Sequence, residues 1–163
     1  MKLFNKLFMM ALVLSVFVGC GKDDEQLPKE TYKGTITVVG TLILSDTTSR
    51  VVVDTTIANV PITIEYNADK TKATLTIAAG TIPPIADPVK ATCTVTSTAD
   101  NYVLSGSTSV SVPILNMGAV SLTVTVSNST IDKAGHAVLN MTGTGSIGEI
   151  PLLLTIGFDG QKQ

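Results

Sequence analysis

In the stretch 119–127, apolar and hydroxyl side chains alternate without a break from Val120 onward, and this pattern restricts the fold more than any other feature of the chain. Successive side chains of a β-strand point to opposite faces, so a period of two indicates a strand with one buried and one solvated face. Shorter stretches alternate in the same way at 35–38, 63–65, 74–77 and 92–96. Helical spacing of apolar residues is not sustained over ten positions anywhere after residue 20. The sequence therefore predicts an all-β fold.

Two of the predicted strands supply the side chains that we expect to line the interior. In each, every second residue is a large aliphatic one, which places these residues on a single face: Val120, Leu122, Val124 and Val126 in one strand, and Leu152, Leu154 and Ile156 in the other. An eight-stranded barrel either holds one small ligand or is filled by its own side chains. The sequence leaves both possibilities open.

Turn signals divide the chain into short strands. Asn, Asp, Gly and Lys clusters at 67–70, 98–101, 132–135 and 146–149 predict hairpin turns, and the proline-rich stretch 82–88 predicts a long connection. We count eight to ten strands in one domain. An antiparallel sheet protects its edges by closing into a barrel or by packing as a sandwich, and alternation does not choose between them.

The N-terminus has the pattern of a signal peptide. Lys2 and Lys6 precede an apolar run at 7–18, and charged residues begin at Lys22. A spanning helix needs roughly 20 apolar residues, so this run is too short to remain as an anchor. We predict that residues 1–19 are removed.

The end of the run, Phe17-Val18-Gly19-Cys20, resembles a bacterial lipobox. The resemblance implies cleavage before Cys20 and acylation of its thiol, for example by palmitate, and of its new amino group. The residues that follow, Lys22, Asp23 and Asp24, resemble the export signal of surface lipoproteins of Bacteroidota. That resemblance implies an outer-membrane lipid anchor and display at the cell surface. The alternatives are the inner leaflet of the outer membrane and a simple solvated tether.

Three further stretches resemble the calycin-like β-barrel lipoproteins of Bacteroidota. They are the opening 32–36, the central 101–106 and the closing 154–162. This resemblance implies a single antiparallel β-barrel of calycin or lipocalin type over residues 31–163, after a lipidated cysteine and acidic tether at 20–30. A β-sandwich is the alternative fold.

Charge and titratable groups exclude several functions. Removal of residues 1–19 takes away two lysines and no acid, so the net charge falls from -2 to -4. A mildly acidic chain with no basic cluster has no electrostatic route to nucleic acid, and its membrane contact would depend on Cys20. His136 is the one histidine, and Cys93 alternates like a buried strand residue. We therefore predict no enzyme, no catalytic residues, no metal site and no cofactor.

Two functions remain as hypotheses. The first is binding of a small apolar or amphiphilic ligand by the barrel. The second is a structural, adhesive or partner-binding surface module, of fimbrial type or accessory to a glycan system, without a ligand cup. Aromatic residues point to neither, because Phe158 alternates into the apolar face and the three tyrosines are scattered along the chain. We expect each tyrosine to pack beside the sheet with its hydroxyl in water.

Overall fold

The computed structural model of this chain describes residues 28–82, 87–114 and 118–163. These residues form one closed antiparallel β-barrel of eight strands. The strands are β1 (Lys29–Ser45), β2 (Thr48–Tyr66), β3 (Lys72–Ile77), β4 (Val89–Ser97), β5 (Asn101–Ile114), β6 (Gly118–Asp132), β7 (His136–Ile147) and β8 (Ile150–Lys162). The predicted all-β class is confirmed, and the barrel rather than the sandwich is the fold.

Each strand pairs with its neighbours in the sequence, and β1 pairs with β8 to close the barrel. The first strand begins at Lys29, slightly before the predicted domain start at residue 31. The signal peptide, Cys20 and the residues Lys22 to Asp24 lie outside the described residues.

The two ends of the barrel differ in what they expose. We call the end at which β1 begins and β8 ends the N-terminal end; the hairpins β2–β3, β4–β5 and β6–β7 turn there. We call the opposite end, where the hairpins β1–β2 and β7–β8 turn, the distal end. At about 3.3 Å per residue, β1 runs roughly 50 Å from one end to the other.

The alternating apolar residues point into the barrel and form one core. All seven residues predicted to line the interior lie in or against this core, and only Leu152 among them is half-buried rather than buried. Phe158 and Cys93 are buried there as predicted. The outer face of β6 carries the hydroxyl side chains Ser121, Thr123 and Thr125, which are exposed. The two-residue pattern thus predicted correctly which side chains face the core and which face solvent.

The predicted turns at 67–70, 98–101 and 132–135 fall at hairpins, and the fourth falls at residues 148–149. The connection around 82–88 joins β3 to β4, and residues 83–86 lie outside the described part. Pro61 lies inside β2, where it pairs with Lys33 of β1. It is the last residue before β2 starts to pair with β3 at Ile62. Its missing N–H therefore falls where β2, among the described strands, pairs with β1 alone.

Ser129 is the buried polar side chain of the described residues. It lies at a β-bulge in β6, where pairing with β7 shifts between Val126 and Thr130. Its Oγ accepts a hydrogen bond from the Asn140 N–H at 2.8 Å and lies 3.2 Å from the Asn140 carbonyl oxygen. The hydroxyl therefore replaces a missing rung of the backbone ladder.

The described residues contain no helix that is long and apolar enough to cross a bilayer.

Candidate functional site

The three tyrosines, expected to be scattered, meet at the N-terminal end of the barrel. Tyr32 and Tyr66 are buried, Tyr102 is half-buried, and the ring centroids of Tyr66 and Tyr102 are 6.2 Å apart. They come from β1, β2 and β5, so no linear spacing predicts the cluster. The expectation of solvated hydroxyls was wrong for Tyr66, since its buried hydroxyl has no hydrogen-bond partner among the described residues.

Glu30 and Lys162 form an ion pair above these tyrosines. The Lys162 Nζ donates to Glu30 Oε1 at 2.6 Å, and the Tyr32 hydroxyl donates to Glu30 Oε2 at 2.5 Å. Burial alone would raise the pKa of Glu30, but the hydrogen bonds from Lys162 and Tyr32 outweigh it and lower the pKa below the ordinary value of 4.5. Glu30 is therefore a charged carboxylate at neutral pH, with donors on both oxygens.

Burial also acts on the tyrosine hydroxyls. Together with the hydrogen bond to Glu30, it raises the pKa of Tyr32 far above its usual range. Burial and the negative charge of Glu30 raise the pKa of Tyr66 to about 12. The nearby Tyr32 side chain acts in the opposite direction and offsets only part of this rise. Both phenols thus stay protonated at neutral pH, and the Tyr32 hydroxyl donates to Glu30.

Lys70 covers the tyrosine cluster from the β2–β3 turn. Its Nζ lies 5.7 Å from the ring centroid of Tyr66 and 5.9 Å from that of Tyr102, within cation–π range. The turn is fixed by Asp69, whose Oδ1 accepts hydrogen bonds from the Thr71 N–H, the Thr71 hydroxyl and the Asn67 side-chain amide. These hydrogen bonds, led by that of the Thr71 hydroxyl, lower the pKa of Asp69.

These groups surround a cavity of about 250 Å³, which we call the mouth cavity. Its lining combines charged side chains with tyrosines and one turn: Glu30, Tyr32, Lys70, Tyr102, Lys162 and residues 131–135 of the β6–β7 hairpin. In that hairpin, Lys133 donates to the Ala99 carbonyl, and Asp132 Oδ1 accepts the His136 N–H at 2.8 Å. The arrangement can hold a small polar molecule by hydrogen bonds and charge.

His136 is half-exposed at the barrel surface, whereas Cys93 is buried in the core. His136 begins β7, and its Nε2 lies 2.8 Å from Oδ1 of Asp159 on the neighbouring strand β8. Cys93 is a buried free thiol whose pKa burial raises to about 11. Within the described ranges, no three residues of the types His, Cys, Asp and Glu group as metal ligands would. The prediction that the chain is not an enzyme stays a prediction.

The distal end carries the exposed large aliphatic side chains. Six are exposed among the described residues, and all of them lie in the parts of β1, β2 and β8 near the distal turns: Ile43, Leu44, Val51, Val52, Ile150 and Leu153. Thr41 pairs with Val51 of β2 on one side and with Leu153 of β8 on the other, so these two aliphatic residues flank it on one face. We call these six residues the distal apolar surface.

No protein-family model matches the chain. No curated protein matches it either. Among solved structures, the ywiB protein from Bacillus subtilis is similar with a TM-score of 0.36 and 12% sequence identity, over 86% of this chain and 99% of that one. A TM-score of this size does not show a shared fold.

Proposed function

We propose that this chain is a lipid-anchored protein of the outer membrane, displayed at the cell surface, whose barrel is a non-enzymatic module that binds a protein partner. The observation that carries the proposal is the placement of the distal apolar surface. Its six side chains are the exposed large aliphatic ones of the described residues, and they gather at the end opposite the start of β1. Exposed large apolar side chains that gather at one end of a folded protein favour an interaction site there.

The position of the anchor supports a partner away from the membrane. Cys20 precedes Lys29, the first residue of β1, by a tether that reaches at most about 30 Å when extended. Acylation of Cys20 by two or more chains would hold the protein stably in the bilayer. The N-terminal end would then face the membrane, and the distal end would point outward.

The geometry supports a surface partner better than an apolar ligand inside the barrel. Six of the seven predicted lining residues are buried, and the seventh, Leu152, packs against the same core. A ligand in that space would have to displace these buried side chains, because protein interiors are close-packed. The distal apolar surface is available without such a rearrangement.

The anchor and its address can be tested by substitution. We expect the native protein to partition into a detergent phase and the Cys20→Ala protein to remain in the aqueous phase. With Asp23→Asn and Asp24→Asn together, lipidation should persist while the protein on intact cells loses its sensitivity to added protease. The barrel variant Asp100→Asn is the control and should keep both properties. Detergent partitioning of Cys20→Ala would contradict lipidation.

The partner site can be tested by crosslinking on intact cells. A photo-crosslinking amino acid at Leu44 should give one discrete adduct with another protein, whereas the same group at Thr125 on the outer face of β6 should give none. The adduct should disappear when Ile43→Asn and Val51→Asn are added, because these substitutions remove the apolar contact. Equal adducts at both positions, or adducts with lipid alone, would contradict the proposal.

A further inference from the structure

Lys70 is a cation without a carboxylate partner among the described residues. Lys162 pairs with Glu30 and Lys29 pairs with Glu65, but no described carboxylate oxygen lies within 4.0 Å of the Lys70 Nζ. Its contacts are the faces of Tyr66 and Tyr102. Asp69, its neighbour in the turn, is engaged by Thr71 and Asn67 instead. The charge of Lys70 is therefore available to a molecule in the mouth cavity.

The backbone at Lys70 is strained. Its φ is 54°, in the left-handed region that glycine and asparagine adopt far more readily than lysine. Asn67 and Lys72 fix the turn, since the Lys70 N–H donates to the Asn67 carbonyl and the Lys72 N–H donates to Asn67 Oδ1. Strained positions of this kind concentrate at binding sites, where the strained residue has a task. Here the strain holds an ammonium group over two aromatic rings.

The charges around the mouth cavity do not cancel. Three lysines and two carboxylates line it, which leaves one positive charge. Both carboxylates have donors already: Glu30 has Lys162 and Tyr32, and Asp132 has the His136 N–H. A cavity of about 250 Å³ lies just below the size of pockets that take drug-sized ligands. The complementary ligand is small and carries one negative charge.

We propose that the mouth cavity binds a small soluble molecule with an oxyanion group, a carboxylate or a phosphate, which Lys70 holds by a charge-assisted hydrogen bond. The half-buried ring of Tyr102 gives the rest of the molecule an apolar face to rest on. This site lies at the opposite end from the distal apolar surface, so it does not depend on the protein partner proposed there.

Isothermal titration calorimetry of the full purified chain tests the proposal, with acetate, inorganic phosphate and glucuronate as probes. At least one probe should bind saturably, and Lys70→Gln should weaken that binding by about tenfold or more, as expected for loss of one charge-assisted hydrogen bond. Lys72→Gln is the matched control, because Lys72 is exposed in the same hairpin but does not line the cavity. It should leave the affinity unchanged.

A second variant separates binding from folding. Lys70→Gly suits the left-handed backbone, so it should retain the thermal stability of the native protein and still lose the binding. Three outcomes would overturn the proposal: no saturable heat with any probe, equal weakening by Lys70→Gln and Lys72→Gln, or binding to vesicles containing phosphatidylglycerol without binding to any soluble probe.

Discussion

Gly34 of β1 lies directly opposite Gly160 of β8 in the seam that closes the barrel. A Cβ atom on Gly34 would lie 2.0 Å from the Asp159 carbonyl oxygen and 2.4 Å from the Gly160 Cα. The ring of Phe158 covers the corresponding position of Gly160, where a Cβ would meet its Cζ at 2.4 Å. The first and last strands therefore approach so closely here that neither position has room for a side chain.

We expect Gly34→Ala to lower the free energy of unfolding by about 3 kcal/mol, because the new methyl group meets backbone atoms that cannot move aside. Gly157→Ala in the same strand pair is the control, since a Cβ there has no atom within 4 Å. It should change stability by no more than about 1 kcal/mol, and in the stabilising direction if at all. Urea unfolding of both variants measures the difference, and equal values would argue against a tight seam.

The hydroxyl of Ser129 should contribute to stability through the β6 bulge. Ser129→Ala leaves the Asn140 N–H without its acceptor, and we expect a loss of about 1–3 kcal/mol. Ser121→Ala, on the exposed outer face of the same strand, should be within about 0.5 kcal/mol of the native protein. Chemical denaturation gives both values. A neutral Ser129→Ala would mean that water or a backbone shift satisfies Asn140.

Tyr32 and Tyr66 should respond oppositely to removal of the hydroxyl group. Tyr32→Phe deletes a donor to the charged Glu30 carboxylate, which should cost about 1.5–3 kcal/mol of stability. Tyr66→Phe removes a buried hydroxyl that lacks a partner among the described residues, so stability should stay the same or rise by about 1 kcal/mol. Thermal unfolding of the two variants decides, and a comparable loss in Tyr66→Phe would reveal a partner for that hydroxyl.

Glu30 should make the N-terminal end sensitive to acid. Because folding lowers the pKa of Glu30, its contribution to stability is present above the ordinary value of 4.5 and is lost as the pH falls from there through the folded pKa. Glu30→Gln should therefore flatten the decline of the urea midpoint over this acid range. Near neutral pH, the plot of its urea midpoint against pH should run parallel to that of the native protein. Asp69, whose pKa is also lowered by its hydrogen bonds with Thr71 and Asn67, should contribute to the decline that remains. An identical acid profile for Glu30→Gln would contradict the ion-pair geometry.

The strands and the core could be read from the sequence because their signal is local. The alternation of Val120, Leu122, Val124 and Val126 with serine and threonine predicted which side chains are buried, and the structure confirms it. Burial of Cys93 and Phe158 followed from the same rule. The alternation of apolar and polar side chains is visible within a few consecutive residues, so one sequence is enough to detect it.

Closure of the barrel and the site at its mouth are not local properties. Nothing near Gly34 indicates that its partner is Gly160, and a sandwich would show the same alternation. Tyr32, Tyr66 and Tyr102 are distant in sequence. They meet only because β1 and β5 begin, and β2 ends, at the N-terminal end of the barrel. The sequence placed Lys70 in a hairpin turn at 67–70, and the structure confirms this turn. The left-handed backbone that aims it at the tyrosines has no sequence signal, because lysine is an unusual residue for that conformation.

The pairing of β1 with β8 also bears on the order of folding. Hairpins such as β1–β2 join neighbours and can form as soon as their residues are available, whereas the seam needs a loop of more than a hundred residues to close. Contacts this remote form late and slow the overall rate. During folding, the outer edge of β1 therefore stays unpaired until β8 reaches it, and the chain is most prone to aggregate in that interval.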